Sequence, residues 1–211
     1  MKEDDNPLFS LRKRPTQARA NALIDAVLEA SIQVLAQEGA ARFTTARVAK
    51  RAGVSVGSLY QYFPNKAAIL FRLQSDEWRR TTDLWLEILS DNQQPPLERL
   101  RNLVHVFIQS ECDEAEIRGA LDDAAPLYRD APEAQEIMAE GDKIFQRFIK
   151  ETLPEVTLQK RKVIGELISD TMTEAGKSFS GTPRTAKEIK AYADAMADMF
   201  CAYLASMRSG A

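Results

Sequence analysis

Between Ser55 and Lys66 the chain reads SVGSLYQYFPNK. On helical spacing Ser55, Gly57, Ser58, Gln61 and Tyr62 share an outward face. They are hydrogen-bonding or very small residues, and none is acidic. Such a surface suits approach to a polyanion rather than solubility alone. The side chains also match what duplex DNA offers. Gln61 can pair bidentately with adenine, Val56 can touch a thymine methyl, and Ser55 and Ser58 add short polar contacts. Gly57 lets backbone come close. Tyr62 offers a phenol to phosphate, as does Tyr60, whose ring is expected to be partly packed. Lys66 stands at a helix start, where dipole and charge both favour an anion. Upstream, Thr44 or Thr45 can cap a helix while facing phosphate, and Arg47 and Lys50 project as phosphate contacts. Arg51 is read either that way or as a solvated charge.

These residues need a helix pair to position them. Val48, Ala49 and Ala52 give a first short helix its apolar stripe, and Gly53 ends it, because glycine enters the left-handed conformation without a Cβ clash. Ser55 caps a second helix, with Val56, Leu59, Tyr60 and Phe63 expected on one packed face. Pro64 closes that helix and Asn65 caps the next. Behind the pair, Thr16 to about Gln37 reads as a helix with Leu23, Val27, Ala30, Ile32, Val34 and Leu35 on its apolar side, stopped by Gly39. Two helices joined by a three-residue turn containing glycine have the composition of a helix-turn-helix.

From about Ala26 to Leu70 the sequence resembles the N-terminal domain of TetR-family transcriptional repressors. The resemblance is carried by Ala26, Ala30, Gly39, Thr44, Thr45, Val48, Ala49, Ala52, Gly53, Val54, Ser55, Leu59, Tyr60, Tyr62, Phe63, Asn65, Lys66 and Leu70, and most specifically by GSLYQYFPNKAAIL. It implies an all-α fold of about nine helices: a helix-turn-helix DNA-binding domain over 16–66, then a larger regulatory and dimerisation domain over 67–211. It also implies a homodimer on a palindromic operator, a small-molecule effector, and no cofactor. In the family, the helix expected over 66–89 links the two domains and carries the signal by its tilt.

Overall charge argues the other way. The 28 basic and 31 acidic residues of the 211 leave −3. The distribution along the chain outweighs that total: Arg12 to Arg72 holds ten basic and three acidic residues, and the chain from Asp76 holds seventeen basic and twenty-five acidic. Positive charge confined to one end is the footprint of phosphate binding. Residues 1–15 read as a flexible arm, in which Arg12, Lys13 and Arg14 follow a DNA backbone or minor groove; a solubilising tail is the other reading. Cys112 and Cys201 lack metal spacing and point to a reducing compartment. With no signal peptide and no apolar run of 18 residues, the expectation is a cytoplasmic protein without a membrane partner.

The remainder reads as helices. Trp78 and Trp85 lie seven apart on the helix from Lys66, packing its core or lining a ligand site. After Pro95 and Pro96 comes a stripe of Leu97, Leu100, Leu103, Val104, Phe107 and Ile108, with His105 beside it. A short helix near 114–124 ends at Pro126, and another after Pro132 carries Ile137, Met138, Ile144, Phe145, Phe148 and Ile149. Trp85, His105, Phe107, Met138 and Phe145 are the candidate ligand-lining residues, set against the simpler reading that they fill a core. The last helices, about 157–178 and 186–207, give an apolar face (Ile189, Tyr192, Met196, Met199, Phe200, Tyr203, Met207) broader than one partner needs, suited to a four-helix bundle between two chains. Nucleophile–base pairs, metal clusters and phosphate-cradling glycine loops are missing, which counts against an enzyme or ligand carrier. A DNA-binding regulator controlled by a protein partner instead of a small molecule stands as the alternative.

Overall fold

The computed structural model describes residues 18–128 and 130–209, so the basic arm and the start expected at Thr16 lie outside the described residues. Among the described residues there are nine α-helices, one 3-10 turn and no strand. The helices are α1 (Ala18–Arg42), α2 (Thr45–Ala52), α3 (Val56–Tyr60), α4 (Lys66–Leu89), α5 (Pro96–Asp113), α6 (Ala115–Ala124), α7 (Pro132–Thr152), α8 (Leu158–Ser180) and α9 (Ala186–Ser209).

Local chemistry explains where they begin and end. Gly39 leaves helical geometry at φ 72, ψ 170, so the regular helix breaks where the sequence puts its stop, and a short helical turn follows to Arg42. Thr44 caps α2 by accepting from the Arg47 amide, while Gly53 closes it at φ 68, ψ 26 and donates to Ala49 and Lys50 carbonyls. Ser55 accepts from Ser58 N to start α3, and Asn65 Oδ1 accepts from Ala68 N at 2.9 Å to start α4. Thr185 and Glu188 form a reciprocal capping box for α9, each accepting from the other's amide. Those bonds hold the Glu188 carboxyl below the usual carboxylate range.

The chain forms two compact units. The first runs through Glu77 and adds Glu116–Gln135; the second comprises Trp78–Ala115 and Glu136–Ala211. The division thus falls inside α4 and not at its start, as a boundary at 66/67 would have it. Apolar burial accounts for this: Ile69, Leu70, Phe71 and Leu73 of α4 are buried, Phe71 meets Tyr128 with ring centroids 5.7 Å apart, and Arg118 pairs with the buried Glu77 at 2.8 Å.

In the first unit α1 packs on α2 and α2 on α3. The core holds Ile24, Val27, Val34, Leu35, Phe43, Val48, Leu59 and Phe63. Ile32, expected in that stripe, is exposed. In the second unit α4's latter half, α5, α7, α8 and α9 enclose one cluster that includes Trp85, Leu103, Phe107, Phe145, Phe148, Ile168, Met172 and Phe200. Helix α5 lies against α8 and α9. Gly176 permits part of that approach, since a Cβ there would stand 2.9 Å from the Phe107 ring.

Candidate nucleic-acid interface

The α2–turn–α3 segment presents most of the expected polyanion-facing residues to solvent. Thr44, Arg47, Lys50, Ser55, Val56, Gly57, Tyr60, Gln61 and Lys66 are exposed, and Thr45 and Ser58 are half-buried. Between Glu38 and Asp76 the chain has no acid, so α2, the turn and α3 contribute no carboxylate of their own to this surface.

Two tyrosines exchange the places that the sequence predicts for them. Tyr62 is buried, at 8% exposure, whereas Tyr60 is 39% exposed, as is Val56. Helical spacing carried on to Pro64 would turn Tyr62 outward, but α3 ends at Tyr60 and residues 61–62 form a turn. The turn brings Tyr62 and Phe63 inward together, so Leu59, Tyr62 and Phe63 hold α3 down while Val56 and Tyr60 point out. The outward phenol is therefore Tyr60. Its hydroxyl lies 3.1 Å from Thr45 Oγ1, tying the end of α3 to the start of α2.

The hydroxyls of α3's first turn are partly engaged. Ser55 Oγ accepts from Ser58 N at 2.9 Å and lies 2.8 Å from Ser58 Oγ. Val56 and Gln61 are freer to meet base edges. At Gly57 an added Cβ would find only Ser55 Oγ, at 3.7 Å, so the bare backbone faces outward. The cations of α2 are ordered from α1: Arg47 pairs with Glu38, and Arg51 donates to Gln33 and Gln37. Sequence reasoning missed Glu38, since an acid nine residues before an arginine has no helical spacing to announce the pair.

The expected ligand-lining residues divide. Trp85, Phe107 and Phe145 come together in the second unit, the tryptophan 6.2 Å from Phe107 and 6.0 Å from Phe145 by ring centroids. Trp85 Nε1 is buried there without a hydrogen-bond partner among the described residues. Met138 is 42% exposed and does not join them. The inward face of α7 holds Phe145, Phe148 and Ile149; Met138, seven residues before Phe145, shares that face by helical spacing but lies nearer the start of the helix, where it is left uncovered. His105 faces a separate open cavity of about 540 Å³ between α5 and α9, lined also by Gln109, Asp113, Ile189 and Lys190. Its Nε2 lies 3.1 Å from Asp194. Among the described residues no group of His, Cys, Asp or Glu is arranged to hold a metal, and no helix is long and apolar enough to cross a membrane.

Residues 27–73, which include this whole surface, match the family described as bacterial regulatory proteins, tetR family. Residues 95–207, more than half of the chain, match the tetracyclin repressor-like C-terminal domain. The chain belongs to the TetR family. It is a DNA-binding transcriptional regulator. The regulator is 27% identical over 151 residues to the HTH-type transcriptional repressor KstR of Rhodococcus jostii, covering 68% of this chain and 66% of that one. It is 35% identical over 83 residues to the nucleoid occlusion factor SlmA of Vibrio campbellii, but spans only 42% of that protein's length and 39% of its own. In fold it resembles the fatty acid degradation regulator FadR of Bacillus halodurans, with TM-score 0.65, 18% identity and coverage of 89% and 97% of the two chains. FadR of Bacillus subtilis, solved with stearoyl-CoA, gives 0.66, 16%, 84% and 97%.

Proposed function

We propose that this regulator is a homodimeric repressor that holds a palindromic operator and leaves it when an apolar or amphipathic ligand enters the second unit. The observation that carries the DNA-facing half is the exposed α3 surface of Val56, Gly57, Tyr60 and Gln61, free of acid and flanked by Arg47, Lys50 and Lys66. Thr44, Thr45, Tyr60, Arg47 and Lys66 would fix the domain on phosphates, and α3 would enter the major groove with Val56 and Gln61 reading bases.

Dimerisation is supported by apolar surface that one chain leaves uncovered. Leu158, Val163 and Leu167 of α8 and Met199 of α9 are each more than half exposed, with Val163 and Leu167 four residues apart on one helical face. A lone helix-turn-helix reads few base pairs; a two-fold pair reads a palindrome. Ligand release is supported by the buried cluster of Trp85, Phe107 and Phe145, whose unpartnered indole N–H could donate to a polar atom on an otherwise apolar molecule. KstR is named as a repressor, and FadR of Bacillus subtilis was solved with an acyl-CoA. A ligand that fits one arrangement of the dimer better than another shifts the population towards it, and so releases DNA.

The test begins with selection of bound fragments from the source genome, followed by gel shifts on the recovered sequence. Lys66→Ala is expected to weaken binding on every duplex and to flatten the salt slope by about 1. Tyr60→Phe should weaken it without altering that slope. If both bind as tightly as the parent chain, this face does not hold the DNA.

A further inference from the structure

Helix α1 orders two arginines of α2 by different means. Gln33 and Gln37 receive Arg51 through amide oxygens, so that guanidinium keeps its charge. Glu38 receives Arg47 through a carboxylate, so that pair is neutral. Glu38 stands directly before Gly39, where α1 kinks, and no other acid occurs from there until Asp76. It is the last carboxylate of α1 and the nearest one in sequence to α2, the turn and α3, which contain none. Neither partner is locked away: side-chain exposure is 47% for Arg47 and 29% for Glu38.

We propose that Glu38 tempers the phosphate-driven part of DNA binding by neutralising Arg47 on the DNA-facing surface. The inference rests on reading Arg47 as a phosphate contact. Arginine carries five N–H donors in a fork, and Glu38 engages it through Nη1, leaving donors for a phosphate oxygen. The paired guanidinium therefore still positions the domain but adds little net charge against the duplex. Electrostatic attraction to phosphate is independent of sequence. Weakening it by one charge lowers affinity for every duplex equally and leaves the groove contacts of Val56 and Gln61 untouched. A larger share of the remaining binding then comes from base reading. Glu38 is a positioning residue in this scheme, acting through Arg47.

The decisive variant is Glu38→Gln in the full chain, which keeps shape and acceptor and removes charge. It is titrated with salt on a genomic fragment recovered by selection and on a random-sequence duplex. Both duplexes should bind roughly fivefold tighter, with a log–log salt slope steeper by about 0.9 and an unchanged melting temperature. Unchanged or weaker affinity with an unchanged slope overturns the proposal. Arg47→Ala separates the two readings: it should weaken binding and flatten the slope, and if it does neither, Arg47 does not touch phosphate and the proposal falls with it. In the Arg47→Ala background Glu38→Gln should bring no gain. A fivefold gain there would show a free-standing charge effect and overturn the pairing.

Discussion

The two glycines of the first unit with positive φ differ in what they allow. Gly53 sits in the ordinary left-handed region at φ 68, ψ 26, which other residues enter at a cost of about 1 kcal/mol. Gly39, at φ 72 and ψ 170, occupies a region essentially reserved for glycine, where strain reaches roughly 1–3 kcal/mol. A Cβ would meet nothing within 4 Å at either position, so backbone conformation alone sets the penalty. Gly39→Ala should therefore lower the melting temperature more than Gly53→Ala, a ranking that thermal unfolding of both variants checks directly. The tyrosines are a related case. The sequence put both phenols toward phosphate, but which one faces outward depended on a turn beginning at Gln61, one residue beyond where the five-residue α3 ends.

Among elements, α5 carries the least expected feature. Arg99 is buried, at 2% exposure, within a helix whose sequence pattern marked only Leu97, Leu100, Leu103, Val104, Phe107 and Ile108. Its guanidinium bonds to the Leu89 carbonyl at the end of α4 and to Glu151 on α7. One side chain thus joins three helices of the second unit. Removing Glu151 leaves a buried donor short of an acceptor, a loss of about 2 kcal/mol. Chemical denaturation of Glu151→Ala should show it, and Arg99→Met, which removes the charge together with its need for partners, should cost less. Periodicity recovers apolar stripes because their spacing repeats. A single buried cation with partners ten and fifty-two residues away leaves no such trace.

At the scale of the whole molecule, the exposed apolar residues of α8 and α9 are the face that the proposed dimer would cover. Placing a carboxylate there charges a face that a second chain would bury. Leu167→Glu is expected to shift the protein from dimer to monomer in sedimentation velocity, and to abolish operator binding at concentrations where the parent chain saturates it. Helix content should be unchanged, because Leu167 is already more than half exposed in one chain. A dimer that survives this change uses another face. The sequence pointed to α9 for this role through its many methionines and aromatics, yet Met196 and Phe200 are buried within the chain's own core. The outward apolar residues lie largely on α8.

By itself the sequence determined the all-α class, the order of nine helices, the glycine bend between α2 and α3, and a basic end on an acidic chain. These follow from local causes: caps, glycine conformations, helical periodicity and the count of charges along the chain. Tertiary structure decided the rest. It chose Tyr60 over Tyr62 as the exposed phenol, set Met138 apart from Trp85, Phe107 and Phe145, placed the division between units inside α4, and gave Arg47 to Glu38. Each of these depends on where a turn interrupts helical spacing or on which groups the packed helices bring together, and periodicity along the chain encodes neither.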